Sequence, residues 1–339
     1  MDVMNVRRLI PATAVAGAAV LGLTTLSACS SSDAADGRSD GTLDVVASFY
    51  PMQFLAEEIG GSHVSVTSLT KPGVEPHDLE LSPKQIGSLS DADYILYLKG
   101  IQPAVDDAVG QAGVKNTVDA ASLTTLEDHG TEVDGHDDGD EHADDHDHEA
   151  EDHDAGDGDD HGHEHVGADP HIWLDPVKYA EVAKGVGTSL EKADPDHAAD
   201  YRENTAKLVD ELNALDTAYK SGLKDTATKT FITTHSAFGY LAERYGLTQE
   251  GIAGVDPEAE PSPARISEIH EVAEKNKATT VFFETLASDK TAATLAKDLG
   301  LKTDVLDPLE GITDKSKGAD YLEVMKSNLA ALQKALGAK

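Results

Sequence analysis

The sequence is poor in cysteine and in basic residues, and each shortage excludes a class of protein. A single cysteine in 339 residues rules out an intramolecular disulfide and a zinc site built from cysteines. Only 27 lysines and arginines stand against 63 acidic residues, so the formal net charge is −36 at pH 7. That charge argues against a nucleic-acid binder and against a polybasic membrane-binding surface, since both need clustered basic residues. The 39% of hydrophobic residues still suffice for a sizeable core, and the length predicts two domains or one large one.

The N-terminus has the parts of an export signal. Two arginines precede an uncharged apolar stretch at 9–26, and small residues follow it before the only cysteine, Cys29. The Leu-Ser-Ala-Cys run that ends there resembles the lipobox of bacterial lipoproteins, which implies cleavage before the cysteine and a lipid on its sulfur. We therefore expect a signal peptide at 1–28, a tether at 29–42 and a mature protein anchored on the extracytoplasmic face of the cell membrane. A plain transmembrane anchor is the alternative, because the apolar stretch approaches the roughly 20 residues that a span needs.

From residue 43 onward, short β-rich runs alternate with segments of helical spacing, which predicts parallel sheets covered by helices. The stretch 176–223 differs, because it is helical almost throughout and is interrupted only once. We expect its second part, 195–223, to form one helix about 40 Å long. The predicted fold class is therefore α/β, with Rossmann-like lobes at 43–194 and 224–339 that this long rigid helix bridges, and with a cleft between the lobes.

An acidic, histidine-rich segment at about 127–166 interrupts the first lobe. It carries 19 acidic residues and no basic one from 127 to 164, and its few aliphatic residues cannot offset the entropy of ordering it. We predict a disordered loop that captures metal weakly, since neutral imidazoles suit zinc, copper and nickel. A solubilising acidic loop is the alternative. Nine of the 15 histidines lie in this segment: His129, His136, His142, His146, His148, His153, His161, His163 and His165.

Three of the remaining histidines occupy similar places relative to the predicted elements. His77 lies in the loop between a strand and the next helix, and His171 lies just before the long helical stretch. His235 ends a strand predicted at 230–234. Ligands of open α/β sheets bind beyond the carboxyl ends of strands, so these imidazoles can converge on one cleft if the strand order permits. Asp307 ends the final strand in the same way, and three imidazoles with one carboxylate give tetrahedral zinc coordination.

The motifs around these residues resemble those of a known family. They are Pro-His-Asp-x-x-Leu at His77, Asp-Pro-His-x-Trp-Leu-Asp-Pro around His171, Thr-His-x-Ala-Phe-x-Tyr-Leu-x-x-x-Tyr-Gly from Thr234, Pro-Ser-Pro at 261–263, Phe-Glu at 283–284 and Leu-Asp-Pro at 306–308. With them, the stretch from about 43 to 337 resembles the metal-specific solute-binding lipoproteins of bacterial ABC importers (cluster A-I type), and most closely their zinc branch. The resemblance implies two α/β lobes bridged by one rigid helix, with metal bound between them.

The resemblance also implies which side chains hold the metal, two from each lobe: His77, His171, His235 and Asp307. The manganese branch places a carboxylate where this chain has His235, and exchanging oxygen for imidazole shifts the preference from manganese toward zinc. The fourth ligand stays open among Asp307, a water, Glu284 and Glu75. If Glu284 is not itself a ligand, we expect it to lie behind one of the ligands and to support it without contacting the metal.

These features predict a zinc-binding subunit of an ABC importer rather than an enzyme. We expect it to capture Zn²⁺ between the lobes and to deliver it to a permease driven by a cytoplasmic ATPase, as a monomer and without nucleic acid. A manganese, iron or nickel carrier of the same type is the main alternative. A secreted zinc hydrolase is a second one, although the sequence has no His-Glu-x-x-His motif, and an adhesin is a third.

Overall fold

The computed structural model describes residues 41–129, 168–286, 288 and 290–339. The predicted signal peptide, Cys29, all but the end of the tether, and all but the beginning of the histidine-rich loop lie outside the described residues. In the part of the chain that the structure describes, no helix combines the length and the apolar character that a membrane crossing needs.

The first lobe contains a parallel sheet with helices between successive strands. Its strands are β1 (Leu43–Ala47), β2 (Val64–Ser68), β3 (Tyr94–Tyr97) and β4 (Thr117–Asp119), and its helices are α1 (Tyr50–Gly60), α2 (Pro83–Asp91) and α3 (Pro103–Ala112). The strand order is β2-β1-β3-β4. Each helix has a proline in its first turn, where the missing N–H breaks no intrahelical hydrogen bond.

Two long helices connect the lobes. A short 3₁₀ turn at Ile172–Leu174 leads into α4 (Pro176–Ala193), and a second 3₁₀ turn at Pro195–His197 leads into α5 (Ala198–Gly222). The helices α4 and α5 pack against each other. At 1.5 Å per residue, the 25 residues of α5 extend for about 37 Å, close to the predicted length.

The second lobe repeats the plan of the first. Its strands are β5 (Thr230–Thr233), β6 (Thr248–Gly251), β7 (Thr280–Phe283) and β8 (Lys302–Val305), and its helices are α6 (Gly239–Arg244), α7 (Pro263–Asn276), α8 (Lys290–Leu299) and α9 (Tyr321–Leu336). The order β6-β5-β7-β8 is again fully parallel. The carboxyl ends of β5, β7 and β8 therefore meet at one edge of the sheet. The loops that carry His235, Glu284 and Asp307 begin at this edge.

The central strands of both sheets are buried on both faces, and their successive side chains point to opposite sides. In β1, Val45 belongs to a central core, whereas Val46 packs into a separate cluster on the outer face of the first sheet. In β5, Phe231 belongs to the same central core, and Ile232 packs on the outer face of the second sheet. The central core also contains Leu212 and other residues of α5, so one continuous apolar cluster joins the lobes.

Hydrogen bonds between the lobes are grouped around the only tryptophan, Trp173, which is fully buried. Its indole N–H donates to the carbonyl of Pro308 at 2.7 Å, and its own carbonyl accepts from the hydroxyl of Tyr321 at 2.5 Å. Nearby, Arg244 donates to Asp175 Oδ2 from Nε at 2.8 Å and from Nη2 at 2.6 Å. These contacts hold the segment after His171 against three parts of the second lobe: the loop that follows β8, the start of α9 and the end of α6.

The structure adds two elements that the sequence analysis does not predict, α3 and β6. The residues of β6 are Thr-Gln-Glu-Gly, so this edge strand has no apolar alternation that could reveal it. The linking helix begins at Ala198, three residues later than predicted, because 195–197 form the 3₁₀ turn that redirects the chain.

Candidate metal centre

His77 lies in the loop between β2 and α2. The end of this loop is held at Ser82, which caps α2 by accepting from the backbone N–H of Gln85, while the Gln85 side chain accepts from the backbone N–H of Ser82. Within the loop, Glu75 Oε1 accepts from the backbone N–H of His77 at 3.3 Å. The His77 side chain is 11% exposed, which leaves it the most accessible histidine of the site.

His171 is oriented by the residue two positions before it. Asp169 Oδ1 accepts from the backbone N–H of His171 at 2.9 Å and lies 2.8 Å from its ring Nδ1. An ionised carboxylate can only accept, so Nδ1 carries the proton and Nε2 is left as the free donor atom for a metal. The ring is completely buried beside Trp173, with ring centroids 5.1 Å apart.

His235 follows the end of β5 and is oriented in the same way by Glu284, which follows β7. The backbone carbonyl of His235 accepts from Thr233 Oγ1 at 2.7 Å and from Gln249 Nε2 at 2.9 Å. Its Nδ1 lies 2.9 Å from Glu284 Oε1. The Glu284 carboxylate therefore lies behind the ring of His235, whose Nε2 faces the cleft.

The three imidazoles meet at one carboxylate, that of Glu310 in the loop after β8. Glu310 Oε1 lies 3.4 Å from His77 Nε2, 3.2 Å from His171 Nε2 and 3.1 Å from His235 Nε2. The Glu310 side chain is 0% exposed. The structure therefore brings the three predicted histidines together between the lobes, but it supplies Glu310 as the fourth member of the cluster.

Asp307 is not part of this cluster, contrary to the expectation from its strand-end position. Its Oδ1 accepts from the backbone N–H of Leu309 at 2.9 Å and its Oδ2 accepts from Thr285 Oγ1 at 3.3 Å. The first bond closes an Asx turn, and Leu309 adopts a left-handed conformation with φ of 59°. The turn reverses the chain, so the carboxylate three residues later, at Glu310, faces the histidines.

The charges of the site favour imidazolium and carboxylate forms in close contact. Burial alone lowers the pKa of His235, but the attraction of Glu284 and Glu310 outweighs it and raises that pKa well above its usual value. Burial likewise lowers the pKa of His171, and Asp169 and Glu310 raise it on balance. Burial raises the pKa of Glu310, but the surrounding histidines, His235 first, hold it well below the usual range. In the metal-free chain, protons occupy positions that a cation takes when it binds.

Several buried carboxylate oxygens of the site lack a protein partner. Among the described residues, Oε2 of Glu75, of Glu284 and of Glu310 are buried without a hydrogen bond. Burial and then repulsion from Glu310 raise the pKa of Glu75 to about 9. Unsatisfied carboxyl oxygens are costly in a protein interior, so this concentration of them indicates a site for a cation.

The spacing of the donor atoms is close to that of a tetrahedral zinc site. Zinc bonds of 2.0–2.2 Å to nitrogen and oxygen place neighbouring ligand atoms about 3.3–3.6 Å apart in a tetrahedron. The three distances from Glu310 Oε1 to histidine Nε2 atoms run from 3.1 to 3.4 Å. They exceed the roughly 2.7–2.9 Å of a charge-assisted hydrogen bond. The cluster therefore fits zinc with little movement of its side chains.

The predicted metal-capturing loop is described only at its first residues. His129 lies against the folded chain, with Nδ1 3.1 Å from Asp169 Oδ2 and Nε2 2.7 Å from Glu243 Oε2. The other eight histidines of the segment lie outside the described residues, so their role as weak ligands stays a prediction. Glu127 and Glu243, which the sequence analysis does not single out, are close to His129 and form a second potential metal-binding group with it.

Comparison with known proteins identifies the family. The model of the zinc-uptake complex component A, periplasmic (ZnuA), matches residues 45–335. The chain belongs to the ZnuA family. The high-affinity zinc uptake system protein ZnuA of Bacillus subtilis is 36% identical over 320 residues, which cover 92% of this chain and 93% of that protein.

The streptococcal relatives named AdcA are longer than this chain, which spans somewhat more than half of their length. The zinc-binding lipoprotein AdcA of Streptococcus pneumoniae serotype 4 is 38% identical over 315 residues, which cover 91% of this chain and 58% of AdcA. The crystal structure of the Zn(II)-bound ZnuA-like domain of S. pneumoniae AdcA superposes with a TM-score of 0.68 at 33% identity, covering 87% of this chain and 99% of that domain. These similarities confirm the predicted family and the two-lobed α/β fold.

Proposed function

We propose that this chain binds Zn²⁺ between its lobes and serves as the extracytoplasmic zinc-binding subunit of an ABC importer. The observation that carries the proposal is the convergence of His77, His171, His235 and Glu310 at the edge lengths of a tetrahedral zinc site. The names of the relatives, which refer to zinc binding and zinc uptake, support it.

The donor set favours zinc over manganese and binding over catalysis. Three imidazoles and one carboxylate are typical of zinc, whereas manganese prefers sites richer in oxygen. Four protein ligands also leave no open coordination position for a reactive water, which a hydrolase requires. In competition experiments we expect Zn²⁺ to displace Mn²⁺ completely. Displacement of bound zinc by equimolar Mn²⁺ would contradict the donor set.

The assignment is tested by calorimetric titration of zinc into the His235→Ala variant. We expect the tight phase to disappear, because the variant removes one ligand and the imidazole that contacts Glu284. His270→Ala, which removes a histidine from the helix α7, is the matched control and should retain the tight phase. A tight phase that survives in His235→Ala would refute the site.

We further propose that a lipid on Cys29 anchors the protein outside the cell membrane, where it passes zinc to a permease driven by an ATPase. The lipobox-like run before Cys29 and the lipoprotein name of the streptococcal relative support this. In cell extracts, Cys29→Ala should accumulate as a longer precursor without lipid, because the predicted cleavage and the lipid attachment both need this cysteine. Equal processing and membrane attachment of the variant would contradict the anchor.

The histidine-rich segment is proposed to raise the local zinc concentration through weak, multivalent binding. Its support is compositional, since eight of its nine histidines lie outside the described residues. Deletion of residues 129–165 should remove the weak zinc equivalents seen in equilibrium dialysis and should leave the tight equivalent. A deletion variant with unchanged stoichiometry would show that the segment is only a solubilising loop.

A further inference from the structure

A second group of metal-ligating side chains lies on the other side of Asp169 from the main cluster. It consists of Glu127 and His129, at the start of the histidine-rich segment, and Glu243 on α6 of the second lobe. His129 Nε2 is 2.7 Å from Glu243 Oε2 and 3.9 Å from Glu127 Oε2. The group therefore joins residues from both lobes around one imidazole nitrogen.

The residues around His129 hold its ring in one orientation. The ring lies edge-on to Tyr240, with centroids 4.3 Å apart, and the side chain is only 12% exposed. A Cβ atom at Gly239 would come within 2.4 Å of His129 Cβ and 2.8 Å of Asp169 Oδ2. Any larger residue would clash there. The glycine in the first turn of α6 therefore allows His129 to pack against that turn.

Asp169 orients two histidines at once. Its Oδ1 lies 2.8 Å from His171 Nδ1, and its Oδ2 lies 3.1 Å from His129 Nδ1. A carboxylate behind the Nδ1 atom of a ligating histidine is a recurrent support for metal sites, because it fixes the tautomer and the ring direction. The arrangement that presents His171 Nε2 to the main cluster is thus repeated for His129 Nε2, which faces Glu127 and Glu243.

The charge of the second group suits a divalent cation. Three carboxylates surround His129, those of Glu127, Asp169 and Glu243, whereas one ammonium group, Lys178 Nζ, lies 2.5 Å from Glu127 Oε1. With a neutral imidazole, the group has two negative charges in excess. One imidazole nitrogen and two carboxylate oxygens form a donor set that zinc accepts, with room for water at the exposed side of Glu243.

We propose that Glu127, His129 and Glu243 form a second divalent-metal site, separate from the main cluster and weaker than it. It lies where the histidine-rich segment joins the fold, since the backbone N–H of Asp169 donates to the carbonyl of Glu127 at 2.9 Å and so brings the two ends of that segment together. A metal ion held there ties the beginning of the segment to α6 of the second lobe.

The test uses the full chain with asparagine in place of the eight other histidines of the segment, so that the remaining imidazole ligands are those that the structure describes. Titration with ¹¹³Cd²⁺ alone, followed by ¹¹³Cd NMR, should give two resonances, one from each donor set. His129→Gln and Glu243→Gln should each remove the same resonance and lower the bound metal from two equivalents to one. The Glu243 side chain is 62% exposed, so its substitution leaves the fold intact.

Two controls separate this site from the proposed zinc-transport site. Glu271→Gln, which makes the same charge change on the exposed side of α7, should keep both resonances. His235→Ala should remove only the other resonance. If the parent shows a single resonance, or if both survive in His129→Gln and Glu243→Gln, the second group is merely an ion pair of protonated His129 and the proposal is overturned. If the resonance assigned to the main site persists in His235→Ala, that result would instead contradict the main site.

Discussion

Replacing Glu310 by glutamine should weaken zinc binding far more than replacing Asp307 by asparagine. Glu310 Oε1 is fully buried and contacts three imidazoles. The glutamine variant therefore removes the only negatively charged ligand from the proposed Zn²⁺ site. Removing one partner of a buried charge pair costs about 3–5 kcal/mol. At about 1.4 kcal/mol per factor of ten, we expect zinc affinity to fall roughly 10²- to 10⁴-fold.

Asp307→Asn is the matched control because it makes the same chemical change in the same loop. An asparagine oxygen can still accept from the backbone N–H of Leu309, so the Asx turn that directs Glu310 inward should persist. We therefore expect its zinc affinity to fall less than tenfold. Competition with a chromophoric chelator at pH 7.5 measures both variants on one scale, and thermal melts without metal show whether either one is misfolded.

The opposite order of effects would refute the reasoning. If Asp307→Asn lost affinity by the larger factor while Glu310→Gln stayed within tenfold of the parent, the ligand would be Asp307, as its strand-end position suggests. Equal and small effects would indicate that a water completes the coordination of the three histidines.

Three further predictions follow from the surroundings of the site. Because the pKa values of His171 and His235 lie above their usual value, zinc competes with protons for both imidazoles, and apparent affinity should fall as the pH is lowered from 7 to 6, by up to about 100-fold from these two groups; a pH-independent chelator competition would contradict this. Asp169→Asn should weaken zinc about 10- to 100-fold, since it removes the charge behind His171, and unchanged affinity would show that this carboxylate does not support the ligand. Trp173→Phe should lower the free energy of unfolding in urea by about 1–3 kcal/mol, because it leaves the buried carbonyl of Pro308 unpaired, whereas an unchanged midpoint would mean that water replaces the indole.

The sheets and the three histidines could be predicted because local signals and general rules agree on them. Strands such as β1 are buried on both faces and therefore read as apolar runs, and residues after strand ends gather at one edge of a parallel sheet. The strand β6 gives no such signal, since its polar residues lie at a sheet edge. The helix α3 has a proline in its first turn and Gly113 just after its end, so its boundaries follow ordinary rules and are predictable from the sequence.

The fourth member of the cluster could not be predicted from strand-end position alone, because the direction of Glu310 depends on a turn. That turn needs the Asx bond from Leu309 to Asp307 and a left-handed conformation at a leucine, which few non-glycine residues adopt. Asn328 on α9 completes it, donating to the carbonyl of Asp307 at 2.7 Å and accepting from its N–H at 3.0 Å. A contact between residues about 20 positions apart thus decides which carboxylate meets the histidines.

The central core limits how metal can reach this site. Residues of both lobes and of α5 belong to one apolar cluster, so moving the lobes apart would expose buried surface at about 25 cal/mol per Å². The loop of His77 lies outside that cluster, and His77 is the most exposed of the four side chains. We therefore infer that zinc passes through movement of this loop. Amide exchange between residues 70 and 80 should slow on zinc binding while exchange in α5 stays unchanged; protection that extends equally through α5 would indicate closure of whole lobes instead.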